Sequence, residues 1–131
     1  MTLHFHVPLP PRMCSSNGSH GSWPLKARAT RDYRHEGYGY ALEALREQSD
    51  AIEAPNRVRM SLAFCTRGVR LVGRYAPRDV SNALAAFKGC QDGFTDAGVW
   101  VDDSSRHLEL GSVTIVNTRG PWVEVEIEEV P

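Results

Sequence analysis

The fold is decided by residues 57–96, RVRMSLAFCTRGVRLVGRYAPRDVSNALAAFKGCQDGFTD, in which the spacing of the apolar residues changes. Over residues 58–64 apolar residues alternate with arginine and small residues, which is typical of a strand with one buried face. Over residues 81–96 the apolar positions follow steps of three and four residues, which predicts a helix. Ser81 is the predicted N-cap of that helix, and Gly98 is its predicted stop.

The remaining segments predict further elements of the same two kinds. We expect Val69, Leu71 and Val72 to continue the sheet after the strand at 58–64. The other predicted elements are strands at 3–8, 108–117 and 122–128 and a helix at 26–48, which lacks proline but contains Gly37 and Gly39. This order predicts an α+β fold: a single small domain over residues 1–131, with a mixed or antiparallel sheet and two main helices packed on one face.

The composition of the chain fits one globular domain with an ordinary core. Of its 131 residues, 41% are hydrophobic and 24% are charged. The N-terminal residues do not read as a signal peptide, and no apolar stretch approaches the roughly 18 residues of a membrane span. Cys14, Cys65 and Cys90 form no C-x-x-C pair, so we expect reduced thiols rather than a disulfide framework or a zinc site. We therefore expect a cytoplasmic protein of a bacterium or phage-infected host, with no membrane partner.

The charged residues are segregated along the chain although the net charge is only −1. Residues 56–78 contain six arginines and no acid, whereas residues 79–109 contain six acids against Lys88 and Arg106. Arginines that neutralise phosphate, followed by carboxylates that hold a divalent cation, suit a nuclease. A solvated strand and a solvated helix are the alternative interpretation of the same pattern.

The candidate catalytic and metal-ligating residues lie between Asp79 and Asp103. If tertiary packing brings these carboxylates together, their oxygen atoms are ligands of the type that Mg²⁺ or Mn²⁺ prefers. Lys88 could then contact a scissile phosphate or stabilise developing charge. The adjacent pair Asp102 and Asp103 is also typical of a solvated turn, so residue types alone leave both readings open.

Three motifs in order carry a family resemblance: RDVSN at 78–82, then Lys88, then DGFTDAGVWVDD at 92–103. This pattern resembles the RusA family of Holliday-junction resolvases. The resemblance implies that Asp79 and Asp103 belong to a magnesium site, with Asp102 as a nearby candidate, and that Lys88 is needed for cleavage. It also implies a homodimer that acts on branched DNA, namely a four-way junction.

The N-terminal half resembles the family more loosely. Pro8-Leu9-Pro10 is similar to the end of the family's first strand, and the loop that contains Asn17, His20 and Trp23 is similar to its N-x-x-H-W-like loop. We expect these three loop residues to contact DNA, since aromatic side chains stack on bases in single-strand binders. An anchoring role for the tryptophan is the alternative.

The chain departs from the family pattern in two places. Ser81 stands where many members have a second essential acid, so one metal ligand must come from Asp102, Asp92 or water. The interval from Asp79 to Lys88 is also longer, by about one helical turn, than in the best-known bacterial member.

The sequence therefore predicts a Mg²⁺-dependent endodeoxyribonuclease, with Mn²⁺ an alternative ion, that resolves Holliday junctions. The arginines expected to contact DNA are Arg57, Arg59, Arg74 and Arg78. Two other hypotheses stay open. One is a catalytically weak relative that binds branched DNA. The other is an unrelated α+β interaction protein, whose acidic last strand pairs with the sheet edge of a partner.

Overall fold

The computed structural model describes residues 1–15 and 23–131. The elements in these ranges are β1 (Thr2–Val7), a 3₁₀ turn (Arg12–Cys14), α1 (Trp23–Gln48), β2 (Val58–Cys65), α2 (Val69–Val72), α3 (Val80–Ala97), β3 (Leu108–Val116) and β4 (Trp122–Glu129). None of the helices in this part of the chain is long and apolar enough to cross a membrane.

The four strands form one mixed sheet in the order β1-β4-β2-β3. β4 pairs antiparallel with both β1 and β2, whereas β2 and β3 are parallel. A parallel pair needs a crossover connection, and here α3 lies in that connection. The predicted α+β fold with a mixed sheet is confirmed.

The two long helices cover the same face of the sheet. Leu3 and Met60 both pair in register with Ile127, so these three side chains share one face. They are fully buried in one core cluster with Tyr33 of α1 and Phe87 of α3. The alternate positions of β2 and β4 form the opposite face, where most residues are polar and only half-buried.

α1 and α3 pack closely because glycines lie at their contact. A Cβ added at Gly89 would lie 2.9 Å from the Thr30 carbonyl oxygen, and one at Gly37 or Gly93 would collide with the backbone of the facing helix. Backbones approach this closely only where a side chain is absent. α1 continues through Gly37 and Gly39 without a break.

The prediction that residues 69–72 continue the sheet is wrong. They form the helical turn α2, and the residues on each side of it, Gly68 and Gly73, have left-handed φ values of 78° and 66°. Two left-handed residues reverse the chain instead of extending it. The sheet also has no free position beside β2, since β4 and β3 already flank it.

Two helices begin earlier than the sequence predicts. Asp79, not Ser81, is the N-cap of α3, and its carboxylate accepts a hydrogen bond from the backbone N–H of Asn82 at 2.9 Å. α1 begins at Trp23 rather than at residue 26, because Pro24 is compatible with the first turn of a helix.

The outer edge of β1 is covered by a side-chain amide from the end of α1. The backbone N–H of His4 donates to Gln48 Oε1 at 2.8 Å, and Gln48 Nε2 donates to the His4 carbonyl at 2.8 Å. One side chain thus satisfies the donor and the acceptor that a neighbouring strand would otherwise satisfy.

All three cysteines, Cys14, Cys65 and Cys90, are buried, and none of them forms a disulfide. Burial raises the pKa of the Cys90 thiol well above its usual value. The protonated thiol is a weak nucleophile, so Cys90 acts as a small apolar residue of the core.

Replacing Gly93 by alanine is expected to destabilise the fold, because the new Cβ would meet backbone atoms of Arg34 and Tyr38. We expect the free energy of unfolding to fall by about 1–3 kcal/mol, the usual cost of overpacking. Gly39→Ala is the matched control: its Cβ meets nothing within 4 Å, and better helix propensity should raise stability by about 0.5–1 kcal/mol. Urea unfolding followed by circular dichroism measures both changes, and equal stabilities of the two variants would contradict the close packing.

Candidate functional site

The candidate site is centred on Lys88, on the exposed side of α3. Its ammonium donates to Asp92 Oδ1 at 2.7 Å and to Asp103 Oδ2 at 2.6 Å. Asp92 lies four residues further along α3, and this spacing brings the two side chains onto one helix face. Asp103 comes from the segment after the helix, so the three charges meet only because the chain turns back.

The turn back onto α3 is fixed by a buried anchor. Gly98 ends α3 in a left-handed conformation, as predicted, and its N–H contacts the carbonyls of the last helical turn. Trp100 is buried against Phe94, with ring centroids 6.1 Å apart, and its indole N–H donates to Thr95 Oγ1 at 2.7 Å. This anchor holds the three residues that follow, including Asp103, beside α3.

Lys88 and Asp103 stabilise each other's charged form. The hydrogen bond and the charge of Lys88 lower the pKa of the Asp103 carboxyl below its usual value. Partial burial alone would lower the pKa of the Lys88 ammonium, but the hydrogen bonds to Asp103 and Asp92 outweigh it and the pKa is raised. At neutral pH the cluster therefore holds one ammonium and two carboxylates, with an excess negative charge.

Asp102 takes part in a different set of contacts. Its Oδ1 accepts from the backbone N–H of Ser104 at 2.8 Å, and its Oδ2 lies 3.9 Å from Nε2 of His107. The hydrogen bonds from Ser104 are the main cause of its lowered pKa. Asp102 thus shapes the turn that follows the Lys88 cluster.

Asp79 lies at the start of α3, away from the cluster. Its two oxygens accept from the backbone N–H and the side-chain amide of Asn82, at 2.9 and 2.7 Å. Lys88 lies nine positions after Asp79, a rise of about 13.5 Å along the helix, whereas the ligands of one ion lie within about 2.6 Å of it. Among the described residues, no hydrogen bond or ion pair joins Asp79 to the Lys88 cluster, and its role as a metal ligand stays a prediction.

The residues at the cluster fit a magnesium ion in donor chemistry, although they are few. Carboxylate oxygens are the ligands that Mg²⁺ prefers, and it commonly keeps several waters beside one or two carboxylates. Asp92 and Asp103 supply two such groups, and Lys88 lies between them. Within residues 1–15 and 23–131, no three or more histidine, cysteine or acidic side chains gather in one place.

A groove between α1 and α3 begins beside this cluster. It encloses about 410 Å³, and its lining includes Trp23, Lys26, Arg31 and Asp92. Trp23 is 79% exposed at the start of α1. Trp23 is a predicted DNA contact, whereas Lys26 and Arg31 were not predicted, although their spacing from Trp23 along a helix is the signal that could have found them.

The arginines predicted to contact DNA fall into two groups. Arg59 is paired with Glu109 and Glu128, at 3.1 and 3.0 Å, and Arg74 is paired with Glu36 at 3.1 Å. Arg57 and Arg78 are exposed, and neither forms an ion pair in the part of the chain that the structure describes. The predicted DNA contacts Asn17 and His20 lie outside the described residues.

No protein-family model matches the chain, and no curated protein sequence matches it. The resemblance to the RusA family therefore rests on the motifs of the sequence and stays a prediction.

Removing the ammonium is expected to raise the pKa of Asp103. In Lys88→Met the carboxylate loses its hydrogen bond and its counter-charge and keeps Asp92 as a like-charged neighbour, so its pKa should return to the ordinary range or above it. Carboxyl titration by NMR measures this shift, and Asp96, which pairs with Arg34 at 2.6 Å, is the internal control that should not move. An unchanged Asp103 pKa would show that Lys88 and Asp103 do not interact in solution.

Proposed function

We propose that this chain is a RusA-like endonuclease that binds branched DNA and hydrolyses a phosphodiester bond at the Lys88 cluster. The observation that carries the proposal is the placement of the Lys88 ammonium between Asp92 and Asp103 on an exposed surface of α3. The same three residues belong to the motifs at 78–103 that resemble the family. A lysine held at a fixed place by two acids can bind a phosphate without first being ordered.

Each residue of the cluster has a distinct part in this proposal. Lys88 is half exposed, so its ammonium can turn from a carboxylate to a phosphate oxygen of a bound strand. Asp103, with Asp92, would hold the Mg²⁺ ion, or Mn²⁺ in its place. A divalent ion bound there supplies positive charge that polarises the phosphate and lowers the pKa of a water molecule.

The groove between α1 and α3 supplies a path for the strand beside the cluster. Lys26 and Arg31 carry charges that match the phosphate backbone, and Trp23 offers an exposed ring on which a base can stack. Because Asp92 both lines this groove and accepts from Lys88, a strand lying in the groove passes directly beside the cluster.

A homodimer is part of the same proposal. Symmetric resolution of a four-way junction needs one cut in each of two equivalent strands, and hence two active sites related by a two-fold axis. One chain carries one Lys88 cluster, so the second must come from a second copy.

A second candidate is a relative that binds branched DNA but cuts it poorly. Two observations favour it: the Lys88 ammonium already neutralises part of the charge on Asp92 and Asp103, and both oxygens of Asp79 are engaged with Asn82. Such a protein would bind a junction tightly and cut it slowly or not at all.

Cleavage of a synthetic four-way junction separates the two candidates. The first predicts paired nicks that need Mg²⁺ and are absent in EDTA, with linear duplex of the same sequence cut far less. Asp103→Asn should slow cutting by about 100-fold or more, since it removes a ligand and the partner of Lys88. Asp32→Asn, a change of an exposed acid on α1, is the control and should cut at the wild-type rate. Tight binding without nicks would select the second candidate, and no binding would contradict both.

Ser81→Asp tests which end of α3 holds the ion. Ser81 is exposed in the first turn of α3, next to Asp79 and away from Asp103. If the ion binds at Asp103, the new acid should leave the cutting rate within about twofold of wild type, because charges more than a Debye length apart are screened. A large rise in Mg²⁺-dependent cutting would place the ion at Asp79 instead.

A further inference from the structure

The turn α2 presents an exposed apolar tip. Leu71 is 91% exposed and Val72 is 52% exposed, although both are residues that normally bury their side chains. Val72 lies between two clefts of about 430 and 450 Å³, which also share Pro121 and Trp122. The apolar tip is therefore continuous with a partly apolar surface behind it.

The shape of this turn is fixed by the backbone. Gly68 and Gly73 bracket it in left-handed conformations that other residues rarely adopt. Inside the turn, the N–H of Leu71 donates to the Gly68 carbonyl at 3.0 Å, and the N–H of Val69 donates to the Thr66 carbonyl at 3.1 Å. This hydrogen-bonded turn holds Leu71 on the surface in the free protein, so little conformational entropy of the backbone would be lost when a partner binds.

The charge around the tip points to the partner. Residues 54–78 contain no acid, and Arg67 and Arg70 flank Leu71 on an exposed surface where, among the described residues, neither forms an ion pair. A second copy of the chain would bring the same arginines against these and be repelled. One leucine and one valine also offer too little apolar area for firm membrane binding, which scales with the apolar area buried. DNA offers a match for both features of this surface. The phosphates match the charge of the two arginines, and the apolar faces of the stacked bases between them match the exposed leucine.

We infer that Leu71 inserts between base pairs at the branch point of a DNA junction while Arg67 and Arg70 contact the flanking phosphates. Proteins that bend DNA use apolar wedges, leucine among them, in this way, and they pay for unstacking with added contacts. Bases at a branch point lack part of their stacking, so inserting an apolar side chain there costs less unstacking energy than inserting it into a continuous duplex. This inference rests on the proposed function, because it needs branched DNA as the ligand.

The test uses the full chain and a four-way junction with 2-aminopurine at the branch point, in EDTA so that no strand is cut. We expect wild-type protein to raise 2-aminopurine fluorescence several-fold, because the base becomes unstacked, and Leu71→Ser to abolish most of this rise while binding within about tenfold of wild type. Leu71→Met should restore the rise. Ile52→Ser is the matched control, since Ile52 is 100% exposed and lies 15 positions before Arg67 and 18 positions before Arg70.

The flanking arginines have a separate readout. Arg70→Ala should weaken junction binding and reduce the slope of log K against log salt by about 0.9, the value for one lost phosphate contact on duplex DNA. An unchanged slope would remove Arg70 from the interface.

The remaining outcomes separate this inference from the proposed function. If Leu71→Ser keeps the full fluorescence rise while the wild type still cuts the junction, the wedge is wrong and the nuclease stands. If the wild type does not bind the junction, both fail. If the same variant instead changes the sedimentation of the protein alone, or abolishes binding to phosphatidylserine vesicles, the tip serves a second copy or a lipid surface and the inference is overturned.

Discussion

The close contact between α1 and α3 is the constraint on which the rest of the structure depends. At Gly37, Gly89 and Gly93 each helix lies where a Cβ of the other would be, so their backbones touch without side chains between them. With the two axes fixed at this distance, aromatic residues of both helices reach the same face of the sheet. One of these glycines, Gly89, also lines the α1–α3 groove.

The proposed site depends on this packing through one further connection. Asp103 reaches Lys88 only because Trp100 is buried against Phe94 and hydrogen-bonded to Thr95, which returns the chain along α3. The geometry of the Lys88 cluster is thus set by core residues on the far side of the helix from the charges. Asp79, in contrast, is fixed at the start of α3 by its capping contacts to Asn82.

Much of the fold follows from local patterns, and much of the site does not. The strict alternation of apolar and polar residues in β2 and β4 predicted both strands and their buried faces, because few structures other than a half-buried strand produce this pattern. The apolar residues at 69–72 were wrongly predicted to form a strand. Their conformation is set by the left-handed glycines on each side, and β2 already has a neighbouring strand on both edges. For the site, the motifs drew attention to Lys88 and Asp103. The family resemblance assigned Asp79 and Asp102 to the metal site with Asp103, and it gave Asp92 only as one alternative for a missing ligand. The structure pairs Asp92 with Lys88 because the two lie four residues apart on α3, whereas Asp79 lies at the start of that helix.

The amide of Gln48 has a consequence for the behaviour of the protein at high concentration. An uncovered edge strand is a template on which another chain can add its own strand, and this is the first step of many aggregation processes. In β1 the exposed backbone donor and acceptor of His4 are already occupied by Gln48. A side chain from the last turn of α1 thus occupies one backbone donor and one acceptor at the middle of this edge, so another chain cannot pair with β1 at His4 unless it displaces Gln48.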